Sequence, residues 1–268
     1  MKVSPEFLKK FLNEKNKLYE FISLDDFFVL SHSSQKLKKK FIIMTFDDGY
    51  RDNYEYALPI FDEMHIPFTV YITNSFPDKT AFLWWYVLED ILQQNEQIIL
   101  ANRERFDCRT KEEKEKIFLY LRQLVLGLNQ ESLIEEFKNL FYNYKIDYAL
   151  YTDNLCLSWD MIKEMSISDY CTIAAHTMNH KALNKLTEDQ LCHEIIHGKK
   201  CLEENIGKTI NHFAYPFGTF NEVGNREIKF MQNCGFNTVC YSFGGNITMK
   251  NINRPLELPR KFFGELFR

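Results

Sequence analysis

The chain has 268 residues, with 33 lysines and arginines against 37 acidic residues and a formal charge of −4. Hydrophobic residues make up 45% and charged residues 26%, which excludes wholesale disorder, and the lack of a basic excess argues against nucleic acid as a partner. No run approaches the ~18 apolar residues of a membrane span, and the length suits one or two domains or a single α/β barrel.

The N-terminus, MKVSPEFLKKFLNEKNK, interleaves charged and apolar residues. It lacks the continuous apolar stretch of a secretory leader. The seven cysteines are odd in number and include no C-x-x-C pair. Free thiols in a reducing compartment fit this better than a disulfide framework. A cytoplasmic chain is the expectation, and an extracytoplasmic one only where a leader precedes this sequence.

Short apolar, β-rich runs are predicted as strands over 41–46, 67–73, 171–175, 211–215 and 236–241. Helical patterns separate them. Residues 52–64 continue from the first strand as a helix. Ser158 can cap a helix through Trp159, Ile162 and Met165. Thr187-Glu188-Asp189-Gln190 reads as a capping box, followed by Leu191, Ile195 and Leu202 on one face and a stop at Asn205-Ile206-Gly207. This alternation predicts a parallel α/β architecture.

The chain is expected to be one domain, 1–268, with a mostly helical insertion at about 77–157. A second capping box, Thr110 to Glu113, precedes Ile117, Leu121, Leu124, Val125 and Leu128 at helical spacing. A further stripe runs through Leu133, Phe137, Leu140 and Phe141. The insertion reads as a lid or packing layer. A minority reading has Trp84 and Trp85 stacking on a sugar.

Three segments at strand ends carry candidate chemistry. Thr45-Phe46-Asp47-Asp48-Gly49 closes the first clear strand. Two adjacent acids there are costly to bury unless paired or bound to metal, whereas an ordinary Asp-Asp-Gly turn leaves them solvated. His176-Thr-Met-Asn-His180 closes another strand. Its i, i+4 spacing puts both rings on one face if the segment is helical or tightly turned, which suits two ligands of one metal. A second such pair, His193 and His197, falls mid-helix and reads as helix surface. Phe213-Ala214-Tyr215-Pro216-Phe217-Gly218 turns the chain at a third strand end, where a backbone N–H such as that of Phe217 can stabilise an oxyanion.

In a parallel barrel the C-terminal strand ends open onto one mouth. Asp48, His176 and His180 then form a two-His-one-carboxylate face with open positions. The N and O donor set, without thiolate, suits zinc and leaves iron, cobalt and nickel open. Asp47 is left as a base beside the metal.

TFDDG, H-T-x-x-H and FAYPFG, in this order, resemble the motifs of the NodB-homology polysaccharide deacetylases of carbohydrate esterase family four. The extended TFDDGYRDNY and the late Leu258-Pro259-Arg260 resemble the DDGY branch. The similarity covers about residues 18–76 and 155–262. It implies a distorted (β/α) barrel with fewer than eight strands. It implies a divalent-metal-dependent hydrolase, with Zn2+ the expected metal, that removes N-acetyl groups from the amino sugars of a glycan. By position, Asp47 is the base, Asp48, His176 and His180 are the metal ligands, and Phe217 gives the backbone donor. Arg260 matches a late arginine that can orient an active-site carboxylate.

Two departures from the family pattern stand out. The family's general acid is a further histidine, near the C-terminus or, in the DDGY branch, on an N-terminal strand. No histidine follows His212 here, and the chain opens on what resembles the helix after that strand. Leu30-Ser31-His32 has the right spelling. It lies among serines and lysines before the TFDDG strand, so His32 is expected outside the active-site mouth. Where many members carry an arginine before the Pro motif, Asn211 and His212 stand instead. The missing acid motivates an alternative: a carbohydrate-binding or scaffold protein with the fold and metal but little turnover. A nonmetal glycosidase using paired carboxylates leaves the two histidines without a role. Neither the particular glycan nor the oligomeric state is legible.

Overall fold

The computed structural model of the protein describes residues 3–33, 40–145 and 149–263. The chain divides into two compact units, residues 1–78 with 156–268, and residues 79–155.

The strands in chain order are β1 (Glu20–Phe21), β2 (Phe41–Ile42), β3 (Met44–Phe46), β4 (Phe68–Ile72), β5 (Gln97–Ile99), β6 (Arg105–Asp107), β7 (Cys171–Ala175), β8 (His212–Ala214), β9 (Thr238–Gly244) and β10 (Leu258–Arg260). In the larger unit six of them form one sheet in the order β10-β9-β8-β7-β4-β3, with every neighbouring pair parallel. The predicted run 41–46 is split at Ile43, because its first half pairs with β1 and its second half with β4. The predicted strand 171–175 forms with those bounds, and the others form trimmed or extended by a few residues.

β4 explains why the sheet is buried on both faces. It reads Phe-Thr-Val-Tyr-Ile, and all five residues are buried. Side chains alternate across a strand. Phe68, Val70 and Ile72 join the core under the helices. Tyr71 points the other way and joins Ala174, Ala214, Cys240 and Leu258, one residue from each of β7, β8, β9 and β10. Leu24 and Phe27, from the helix Leu24–Ser31, fill the same inner cluster.

The sheet is strongly curled. In a flat sheet β3 and β10 would lie five strand spacings, about 24 Å, apart. Here Arg260 of β10 donates to Asp47, the residue after β3, at 2.6 Å. The result is the distorted (β/α) half-barrel expected from the motifs, with six strands in its main sheet.

At the N-terminal ends of the strands the helix Leu24–Ser31 is tied to β8. Asp25 Oδ1 lies 3.1 Å from His212 Nε2, and His212 Nδ1 lies 2.8 Å from Thr238 Oγ1. His212 is fully buried. The hydrogen bond to His212 holds the Asp25 carboxyl below its ordinary range, against a smaller opposing effect of burial. His32 is the exposed C-cap of the same helix; its Nδ1 meets the Phe28 carbonyl at 2.9 Å. The lysine-rich stretch 34–39 lies outside the described residues.

The unit 79–155 holds helices Trp84–Gln94, Lys111–Leu126, Leu133–Leu140 and Ala149–Leu155. It also holds an antiparallel hairpin, β5–β6, within the insertion expected to be mostly helical. The Thr110/Glu113 capping box forms. Trp84 is 2% exposed, so it packs in a core and has no face for a sugar; Trp85 is half-buried. Among the described residues no helix is long and apolar enough to cross a membrane. All seven cysteines are free.

Candidate active site

Asp47 and Asp48 follow β3 directly. Asp48 has a φ of 75° and Gly49 one of 92°. This left-handed turn swings the Asp48 carboxylate toward the strand β7 end, while its carbonyl accepts from Thr73 N–H at 3.2 Å. His176 Nε2 lies 3.2 Å and His180 Nε2 3.1 Å from Asp48 Oδ1. The three potential ligand atoms all fall within 4.8 Å of one another.

The two histidines meet through a tight turn and not a helix. Thr177 has a φ of 69° and His180 one of 57°, and the Thr177 hydroxyl accepts from His180 N–H at 3.0 Å. His176 is 1% exposed, and its Nδ1 lies 2.7 Å from the Ala214 carbonyl. A carbonyl only accepts, so Nδ1 carries the proton and the Nε2 lone pair faces Asp48. That tautomer is the one a metal requires, and the donor set fits a divalent cation. Burial alone would raise the Asp48 carboxyl, but the adjacent imidazoles, the charge of His180 foremost, hold the group well below the carboxylate range.

Beside this face, Arg260 holds Asp47 in a two-pronged pair. Nη1 donates to Oδ1 at 2.6 Å and Nη2 to Oδ2 at 2.8 Å. Arg260 is itself fixed by the Tyr241 carbonyl at 2.6 Å, the Thr45 hydroxyl at 3.2 Å and the Tyr71 ring at 5.4 Å. Burial would lower the guanidinium's affinity for its proton, but the Asp47 charge outweighs this and raises it. Such fork geometry orients a carboxylate as well as balancing its charge.

The third motif also reaches the site. The Phe217 ring packs edge-on against His180 with centroids 4.6 Å apart, and Phe217 has a φ of 60°. Its carbonyl accepts from the Ser242 hydroxyl, and Ser242 N–H donates to the Gly218 carbonyl. A Cβ on Gly218 would lie 2.6 Å from the Ser242 nitrogen, so only glycine allows this staple to β9.

Sequence reasoning missed Glu194. It is 1% exposed and grips the turn between the two histidines. Oε2 accepts from Asn179 N–H and Oε1 from the Asn179 side-chain amide, both at 2.8 Å, while the Glu194 carbonyl accepts from Met178 N–H at 2.9 Å. The available signal was an acid on the apolar face that carries Leu191 and Leu202. Partners that orient metal ligands typically contribute 10–100-fold in metal affinity. Glu194→Ala is accordingly expected to weaken metal binding by about that factor, measured by competition with a chelating dye. Unchanged affinity would show that the turn holds itself.

The other five histidines lie elsewhere. His32 and His212 belong to the Leu24–Ser31 helix and its tie to β8. His65 caps the helix Leu58–Met64 against Tyr170. His193 and His197 are exposed on a helix, as expected from their position.

A curled parallel sheet with two histidines and two aspartates converging at its C-terminal mouth defines a hydrolytic (β/α)-barrel enzyme. The chain belongs to the polysaccharide deacetylase family, whose model, described as Polysaccharide deacetylase, matches residues 34–117 and 125–239. No curated protein matches the chain. Among solved structures it is similar to the Streptococcus pyogenes deacetylase PplD in complex with acetate, at 16% identity and a TM-score of 0.62, over 96% of this chain and 80% of that one. It is also similar to the deacetylase domain of BpsB from Bordetella bronchiseptica, at 14% identity and a TM-score of 0.56, over 90% of this chain and 78% of that one. For IcaB from Ammonifex degensii the identity is 18% and the TM-score 0.54, over 89% of this chain and 76% of that one. At such identities the likeness bears on the fold, and the family rests on the motif-bearing match.

Proposed function

We propose that the protein is a metal-dependent hydrolase that removes N-acetyl groups from amino sugars of a glycan. The observation that carries this reading is the Asp48–His176–His180 face set beside the Asp47–Arg260 pair. Asp48, His176 and His180 would hold the cation, and the N/O donor set favours zinc. A bound divalent metal supplies Lewis-acid polarisation of an amide carbonyl and a more acidic water.

Asp47 takes the proton of the attacking water as general base. Arg260 keeps that carboxylate aimed through its two-pronged pair. The Phe217 N–H serves as an oxyanion donor at the strand end next to His180. Among the described residues no histidine besides His176 and His180 joins the site, so protonation of the leaving amine falls to another group or to solvent. Loss of a positioned acid typically costs about 10²–10⁴-fold, which predicts slow turnover.

The same lack favours the second reading, a glycan-binding protein with little turnover. Acetate release from a chito-oligosaccharide separates the two. Release that stops on EDTA treatment and returns with Zn2+ is the expected result. Oligosaccharide binding with no acetate, with or without metal, would favour the binding protein.

A further inference from the structure

The π-helical turn His193–His197 joins the helices Glu188–Cys192 and Gly198–Ile206. Its inner side is anchored, since Glu194 and Ile195 are buried. Its outer side carries His193 and His197, both exposed. Their Nδ1 atoms lie 3.3 Å apart, and their rings meet edge-on with centroids separated by 5.4 Å.

Two ring nitrogens at this distance need something between them. Without metal it is a single proton, donated by one ring and accepted by the other. A cation can take its place. With zinc–nitrogen bonds of about 2.05 Å, a 3.3 Å separation corresponds to an N–Zn–N angle of about 107°, close to tetrahedral. The buried side of the turn fixes both backbone positions, so little ordering is needed on binding. Solvent is free to fill the remaining coordination positions.

We propose that His193 and His197 form a second metal site, on the surface, for a divalent transition metal that prefers imidazole: Zn2+, Ni2+ or Cu2+. It is separate from the Asp48–His176–His180 face, whose ligands follow β3 and β7. It does not depend on the proposed deacetylase chemistry. With two protein ligands in place of three, it binds more weakly than that face.

The test is calorimetric titration of the EDTA-treated full chain with Zn2+, repeated with Ni2+. The parent is expected to show a tight and a weaker event. His193→Ala and His197→Ala should each lose the weaker event and keep the tight one, whereas His176→Ala should do the reverse. Both surface substitutions lie on exposed side chains, and circular dichroism checks that the helix persists. If the parent shows one event only, the variant that abolishes it decides: loss in His193→Ala supports the site, and loss in His176→Ala overturns it. Cys192, half-buried next to His193, is the competing ligand. Loss of the weaker event in Cys192→Ser would overturn the histidine assignment, as would its survival in either histidine variant. Broadening of the His193 and His197 ring signals once Ni2+ exceeds one equivalent, absent in His193→Ala, is the accompanying NMR result.

Discussion

Replacing Asp47 with Asn is expected to lower acetate release by about 10²–10⁴-fold while metal content stays unchanged. Asn has nearly the shape of Asp but no carboxylate to accept the water proton. Asp47 contributes no atom to the metal face, so the cation should remain. The substitution has a second effect, on Arg260. That guanidinium is 14% exposed, against 33% for the Asp47 side chain. It would keep the Tyr241 carbonyl and the Thr45 hydroxyl but lose its anion. A buried polar group left short of a partner costs about 1–3 kcal/mol and a charged one more, and the partial exposure of Asp47 brings the loss down toward that range. Arg260→Lys keeps the charge but not the fork, so a smaller fall in turnover is expected there. If Asp47→Asn releases acetate as fast as the parent, Asp47 is not the base and the Arg260 pair is structural.

Much of this arrangement was readable in advance, and the exceptions have physical causes. β4 and β7 announced themselves as buried parallel strands because both faces are covered and nearly every residue is apolar. β10 did not: it has three residues and contains Pro259, which an edge strand tolerates and a pattern search rejects. β1 and the β5–β6 hairpin are too short to show a period. The Asp48, His176 and His180 set was visible because each residue follows a strand, and strand ends share one mouth in a parallel sheet. How they converge was not visible. It depends on left-handed backbone at Asp48, Thr177 and His180, a conformation uncommon outside glycine even for Asp and His and rarer still for a β-branched threonine. Glu194 escaped notice for a related reason. An acid on an apolar helix face looks like an error until the Asn179 amides that it satisfies are seen. Trp84 follows the packing reading over the sugar-stacking one, and whether one of two adjacent tryptophans is buried depends on what packs over the helix.

The second large effect concerns the proposed metal ligands. His176→Ala and His180→Ala should each remove about one tightly held metal equivalent from protein purified and dialysed against Zn2+, because a site with three protein ligands is reduced to two. Asp48→Asn should weaken the same site by removing its only anionic ligand. The two histidine variants are not equivalent in stability. His176 is 1% exposed and its Nδ1 proton satisfies the Ala214 carbonyl. Its loss leaves a buried acceptor without a donor, at a cost of about 1–3 kcal/mol. His180 packs against Phe217 at the mouth, where solvent can fill part of the space. Metal-free His176→Ala is therefore expected to unfold at a lower temperature than metal-free His180→Ala, and both should lack the metal-dependent rise in melting temperature expected of the parent. Undiminished tight metal content in both variants would remove Asp48, His176 and His180 from the metal assignment. Loss of that rise without loss of activity would instead show that the metal here supports the fold alone.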